Sequence, residues 1–248
     1  MITKPELKSN EILDKIQPSF SSGHTPSQFE LAKLKKDAQS IKNINPAQGY
    51  SLLGLIACLE VDIEGCRSNF KNAIRLDGDM TQYLNYSSSL LSFGLMDESF
   101  QLIDSMLDKF KGDPEYLEVA MDVAIQSGRP NQVANSYQML KRLKPNDSLV
   151  KANGYKDIAD EFIRLGISDE MSNKILNIAY NIVRERGLRV YSHLIFTNDD
   201  DPSGDLYYSM RVNATIEKVV DMNIQLSECL ANDESLNFEN TFSIAYQS

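Results

Sequence analysis

The chain has 248 residues, enough for one large or two ordinary domains, and 42% are hydrophobic, enough for a proper core. With no Trp, 12 Gly and 8 Pro, it is poor in turn formers, which argues for helices over a turn-rich all-β fold. A formal charge of -10 repels phosphate backbones, so direct nucleic-acid binding is set aside and a basic protein partner is favoured.

Cys58, Cys66 and Cys229 form no spaced motif and leave one thiol over, a usage that suits a reducing compartment. Cys66 is expected to be a buried packing residue. Met1 to Lys8 contains no apolar run and does not read as a signal peptide. No stretch approaches the ~20 apolar residues of a membrane span. The expectation is a soluble, cytoplasmic protein without a membrane partner.

Residues 1–46 read as an N-terminal helix, a linker and a cap. Leu7, Ile12, Leu13 and Ile16 are the apolar set of a short helix over 5–17. Pro18 to Pro26 reads as a loop. Helix resumes near Ser27, with Phe29, Leu31, Leu34, Ala38 and Ile41 at roughly helical spacing, and stops at Asn43 to Pro46.

From residue 47 to residue 147 a pattern repeats. Tyr50-x2-Leu53-Gly54-x2-Ala57 is followed by Cys66-x3-Phe70-x2-Ala73. Gly94 and Gly128 fall in the turns of the next two units, Tyr137 answers Phe70, and Pro145 closes the third unit. This order resembles the tetratricopeptide repeat (TPR), a helix pair with a period of about 34 residues. The second unit departs from it with Tyr86-Ser87 and Ser99, and the third with Ala120-Met121 and Val133. The resemblance implies first helices near 47–60, 80–92 and 114–126 and second helices near 63–76, 97–110 and 130–143, stacked into a superhelix. Pro130 would sit at a first helical turn, where its missing N–H matters little.

Residues 148–187 read as a bridging pair of helices. One spans about 149–165, with Leu149, Tyr155, Ile158, Ala159, Phe162 and Ile163 apolar. The other spans about 170–186 and stops at Gly187. From Leu188 the period becomes two. Leu188, Val190, Ser192, Leu194 and Phe196 alternate with Arg189, Tyr191, His193 and Ile195, and residues 206–212 alternate likewise, which predicts a hairpin. Asn213 is the expected cap of a helix over 214–231, with Ile216, Val219, Val220, Ile224 and Leu230 inward. A last strand covers 240–247, with Phe242, Ile244 and Tyr246 on one side. The expected architecture is mainly α: a TPR-like superhelix followed by a small β-β-α-β unit at 188–248.

Three places invite chemistry. Asp199, Asp201, Ser203, Gly204 and Asp205 match the opening of a calcium loop, but Met210 stands where the closing Glu belongs, so no metal or other cofactor is expected. Tyr191, His193, Asp205, Tyr207 and Arg211 on the hairpin could form an enzyme site, although no local nucleophile and orienting carboxylate accompany His193. The third place is the inner face that the TPR resemblance implies. It would present Gln48, Ser51, Leu55, Cys58 and Leu59, then Thr81, Leu84, Ser88, Leu91 and Ser92, then Glu115, Glu118, Asp122, Ile125 and Gln126. The Lys, Arg and Asn with which some repeats clamp a chaperone tail are missing there. The leading expectation is a non-enzymatic adaptor or chaperone. Ser51, Leu55, Leu59, Leu84, Ser88, Leu91, Glu115, Glu118, Asp122 and Ile125 would hold a basic or amphipathic peptide or helix from another protein. An acidic antitoxin or immunity-type inhibitor of a basic toxin is the alternative, and the open sheet edge leaves room for a homodimer.

Overall fold

The computed structural model describes residues 4–145, 147–197, 206–236 and 242–248. Among them the chain is mainly helical. Two N-terminal helices, α1 (Lys4–Ser21) and α2 (Gln28–Lys42), precede three successive helix pairs. These are α3 (Pro46–Leu59) with α4 (Ile63–Leu76), α5 (Met80–Ser92) with α6 (Met96–Phe110), and α7 (Pro114–Gln126) with α8 (Val133–Leu143). The helices α9 (Val150–Arg164) and α10 (Asp169–Glu185) follow. Then come β1 (Val190–Thr197), β2 (Leu206–Val212), α11 (Ile216–Ala231) and β3 (Phe242–Gln247).

Local signals fix most of these boundaries. Asn45, Asp62, Asp79 and Asp113 each accept a backbone N–H from the first turn of α3, α4, α5 and α7, contacts that contribute about 1 kcal/mol apiece. Pro46 and Pro114 occupy first-turn positions, and Ser27 with Glu30 forms a reciprocal cap on α2. Small residues then set the approach of paired helices. A Cβ at Gly54 would lie 2.7 Å from the Phe70 ring, and Phe70 in turn stacks on Tyr86 of the next pair with centroids 5.2 Å apart. In the second pair Ser87 and Ser99 stand at these close positions. Their hydroxyls bond each other at 2.7 Å, so a polar pair replaces the bare glycine without leaving a buried donor unmet. In the third pair Met121 and Val133 fill the space and are fully buried.

The first helices lie side by side, α3 on α5, α5 on α7 and α7 on α9. Helix α10 leaves this row and packs across the turns of the second and third pairs. Arg184 Nη1 donates to Gly94 O at 2.6 Å, Ser172 Oγ to Gly128 O at 2.7 Å and Asn173 Nδ2 to Ser127 O at 3.0 Å. The sheet order is β1-β2-β3, antiparallel between β1 and β2 and parallel between β2 and β3, with α11 as the crossover. One apolar cluster joins Leu91, Ile103, Tyr116 and Val123 of the helix pairs to Tyr180, Tyr208, Met210 and Phe242 of the tail. The tail is therefore cemented to the pairs.

Several expectations are corrected. Helix α1 runs through Pro18 to Ser21. The proline lies in the last turn, where the Ser21 and Ser22 hydroxyls donate to the carbonyls of Gln17 and Pro18, the latter also taking the Ser22 N–H. Phe29 is 79% exposed, because it lies two residues, about 200° around the helix, from Leu31 at the start of the buried stripe. Ile163 is exposed beside buried Phe162 for the same angular reason. Pro130 opens a short 3-10 turn, Pro130–Gln132, ahead of α8. Thr215, not Asn213, caps α11, because the helix starts at Ile216, two residues later than expected; the Asn213 amide donates to Thr25 Oγ1 at 2.7 Å. Val219, Met222 and Leu226 face inward on α11, and Ile216, Val220 and Ile224 face solvent. Asn223 sets this rotation: its side chain accepts from Tyr246 N at 2.8 Å and donates to Tyr246 O at 3.1 Å. In β1 the pairing shifts between Val190 and Ser192. Val190 is buried, while Leu194 and Phe196, of the same parity, are exposed.

Candidate functional site

Two cavities lie along the first helices of the pairs. The first is an open cleft of about 340 Å³ between α1, α3 and α5. Leu13, Leu52 and Leu55 give it apolar patches, and Gln48, Ser51, Thr81, Gln82 and Asn85 line it with polar groups. Asp77 and Asp79 stand on its wall, both exposed. Among the described residues no Lys, Arg or His lines it. Gln82 is buried, and its carboxamide oxygen has no donor. That oxygen is sealed from solvent, so the acceptors and negative charge the cleft offers are the exposed carboxylates of Asp77 and Asp79.

The second cavity, of about 270 Å³, lies between α5, α7 and β1 and is as open to solvent as the first. The start of β1 forms one side of it, like a partial roof. Ser88, Leu91, Ser92, Val119, Asp122, Val123 and Gln126 come from the helices, Phe20 from α1, and Arg189 to His193 from the start of the strand. A file of polar groups runs behind it. Gln126 Nε2 donates to Asp122 Oδ1 at 2.8 Å, and Tyr155 of α9 also bonds this carboxylate. Burial pushes the Asp122 carboxyl above the usual range, while Gln126, Lys151 and Tyr155 pull it back. The Tyr180 hydroxyl lies 2.5 Å from His193 Nε2. Burial lowers His193 to about 4, so the imidazole is neutral at pH 7. Burial also raises the Tyr180 and Tyr208 phenols, which keeps both as donors.

The sequence-predicted positions divide between these places. Ser51 and Leu55 line the open cleft, and Ser88, Leu91 and Asp122 line the roofed cavity. Leu59 is buried beside a smaller cavity under Gly187. Leu84 and Ile125 pack into core clusters. Glu115 is exposed at the start of α7, and Glu118 sits 4.0 Å from Lys151 of α9. Helix α9 and strand β1 thus occupy much of the inner side of the third pair. Cys58 is buried with its sulfur 3.3 Å from Ser92 Oγ, and Cys66 is buried as expected.

Of the hairpin residues, Tyr191 and His193 reach the roofed cavity. Tyr207 stacks on Phe196 on the exposed side of the sheet and Arg211 is exposed. The calcium-like residues 199–205, Asp205 included, lie outside the described residues. Gln82, Tyr180, Tyr208 and Arg189 were not singled out from sequence. Alternation gave no signal for Arg189, because the pairing shift between Val190 and Ser192 breaks its parity with Tyr191 and His193. Among the described residues no helix is long and apolar enough to cross a membrane. Comparison with protein-family models, curated proteins and solved structures gave no match.

Proposed function

We propose that the chain is a non-enzymatic adaptor, a TPR-like stack of helix pairs that takes a basic or amphipathic segment of another protein. The segment enters the open cleft between α3 and α5. The supporting observation is the chemistry of that cleft: Leu52 and Leu55 beside the exposed carboxylates of Asp77 and Asp79, with no cation among the described residues of the lining. A Lys or Arg side chain supplies the opposite charge, while its methylenes or an adjacent Leu cover the apolar patch. The acidic row of the third pair contributes less than the sequence suggested, because Lys151 and Tyr155 of α9 already engage Glu118 and Asp122. A homodimer through the sheet would have to pair at β1, since Asn223 occupies the outer edge of β3.

The test is fluorescence anisotropy with a labelled 12-residue Lys/Leu amphipathic peptide. The comparison protein is the double variant Asp77→Asn, Asp79→Asn. Asn caps a helix as well as Asp does, so α5 stays capped while the charge is lost. Two exposed carboxylates together are worth about 1.4 kcal/mol, so the variant should bind about tenfold more weakly at low salt. Equal binding by both proteins, or no binding by the natural chain at low salt, would sink the proposal. Steep loss of affinity with salt would point to the inhibitor form of this reading, and salt tolerance to an apolar client.

A further inference from the structure

The roofed cavity holds a charge that the fold leaves unanswered. Arg189 is only 9% exposed. Its Nη2 donates to Ser19 O at 2.6 Å, and its guanidinium lies over the Phe20 ring, 5.3 Å from the centroid. Nη1 has no hydrogen-bond partner, and no carboxylate among the described residues comes within 4 Å of the group. A buried cation without a counter-charge costs several kcal/mol. In a chain of net charge -10 such a site stands out. Arg189 also lines two cavities at once, the roofed one and a smaller one of about 180 Å³ beside Gly23 and Gly187.

We propose that the roofed cavity binds a small monocarboxylate with an apolar body, its carboxylate held by Arg189. The guanidinium matches a carboxylate in charge and shape. Phe20, Leu91, Val119 and Val123 give the remainder of the ligand apolar walls. A phosphate dianion fits less well, since one guanidinium neutralises one charge and Asp122 on the same cavity repels a dianion more than a monoanion. This site is separate from the open cleft and, unlike it, contains a cation, so either can fail without the other.

Calorimetric titration of the full chain decides the matter. The probes are phenylacetate and hexanoate, with their neutral amides and inorganic phosphate as controls. The acids should bind saturably, at least about tenfold more tightly than the amides. Arg189→Met should abolish that preference while binding of the Lys/Leu peptide to the cleft is unchanged. Because the acid–amide comparison needs no variant, it stands even if the substitution impairs folding. Equal binding of acid and amide, tighter binding of phosphate, undiminished acid binding by Arg189→Met, or no binding of either acid would each overturn the assignment.

Discussion

Gly94→Ala tests whether the roof depends on the helix-pair turns. Gly94 ends α5 with φ +72°, a left-handed conformation that costs an L-residue about 1–2 kcal/mol. A Cβ there would stand 2.3 Å from Tyr180 Cδ1 and 2.4 Å from Tyr180 Cβ and Cγ. Those atoms are the root of a buried ring, not a flexible end, so they can yield only if α10 moves. Overpacking of this kind costs about 1–3 kcal/mol. The two effects together predict a loss of about 2–5 kcal/mol, a large part of a typical domain's stability. Shifting Tyr180 also pulls its hydroxyl from His193 Nε2 and disturbs the cavity wall. Urea unfolding followed by circular dichroism measures the loss, with Gly154→Ala as the control. Gly154 lies inside α9 with nothing within 4 Å of its added Cβ, so that change should be neutral or stabilise by up to about 1 kcal/mol. If Gly94→Ala stays within about 0.5 kcal/mol of the natural chain, the reasoning fails.

His193 should make the protein acid-sensitive. The unfolded chain takes up the proton near pH 6.5, while the folded side chain resists it down to about 4. Stability is therefore unaffected above pH 6.5 and declines as the pH falls towards 4, by about 3 kcal/mol from this group. Asp122, raised by burial, acts in the opposite sense. The difference between the natural chain and His193→Gln isolates the histidine, and denaturation at pH 7, 5.5 and 4 should show a flatter slope for the variant. Thiol titration should find one fast-reacting cysteine in the native protein, Cys229, and all three after unfolding. Cys58 and Cys66 are buried and Cys229 is exposed. Two or three fast thiols would mean that α3 and α4 open readily.

The helix pairs were readable because their signals are local. The repeat spacing and its turn glycines placed most ends of α3 to α8 within a residue or two, and Asp or Asn caps within four residues of those ends fix them in the structure. The β1–β2 hairpin was readable from its alternation for the same reason. What could not be read depends on contacts distant in sequence. Helix α11 carries apolar residues around most of its circumference, so periodicity alone did not fix its rotation. Two hydrogen bonds from Asn223 to Tyr246 did. The shift after Val190 is equally invisible to alternation, and it turns Leu194 and Phe196 outward.

The same distinction separates the two halves of the candidate site. The open cleft is made from neighbouring first helices, so the positions inferred from the repeat pattern reach it directly, at Ser51 and Leu55. The roofed cavity needs β1 laid across α5 and α7, with α1 beneath Arg189. That placement follows from long-range contacts: Tyr180 seated on Gly94, and Arg189 bonded to Ser19 O across 170 residues of chain. Here the start of β1 lies over α5 and α7 and brings the one buried guanidinium among the described residues to a cavity wall between them. The cleft between α3 and α5 keeps its exposed carboxylates without any help from the strand. The two proposed sites therefore differ in origin: only the one for a small acid needs β1 to be in place.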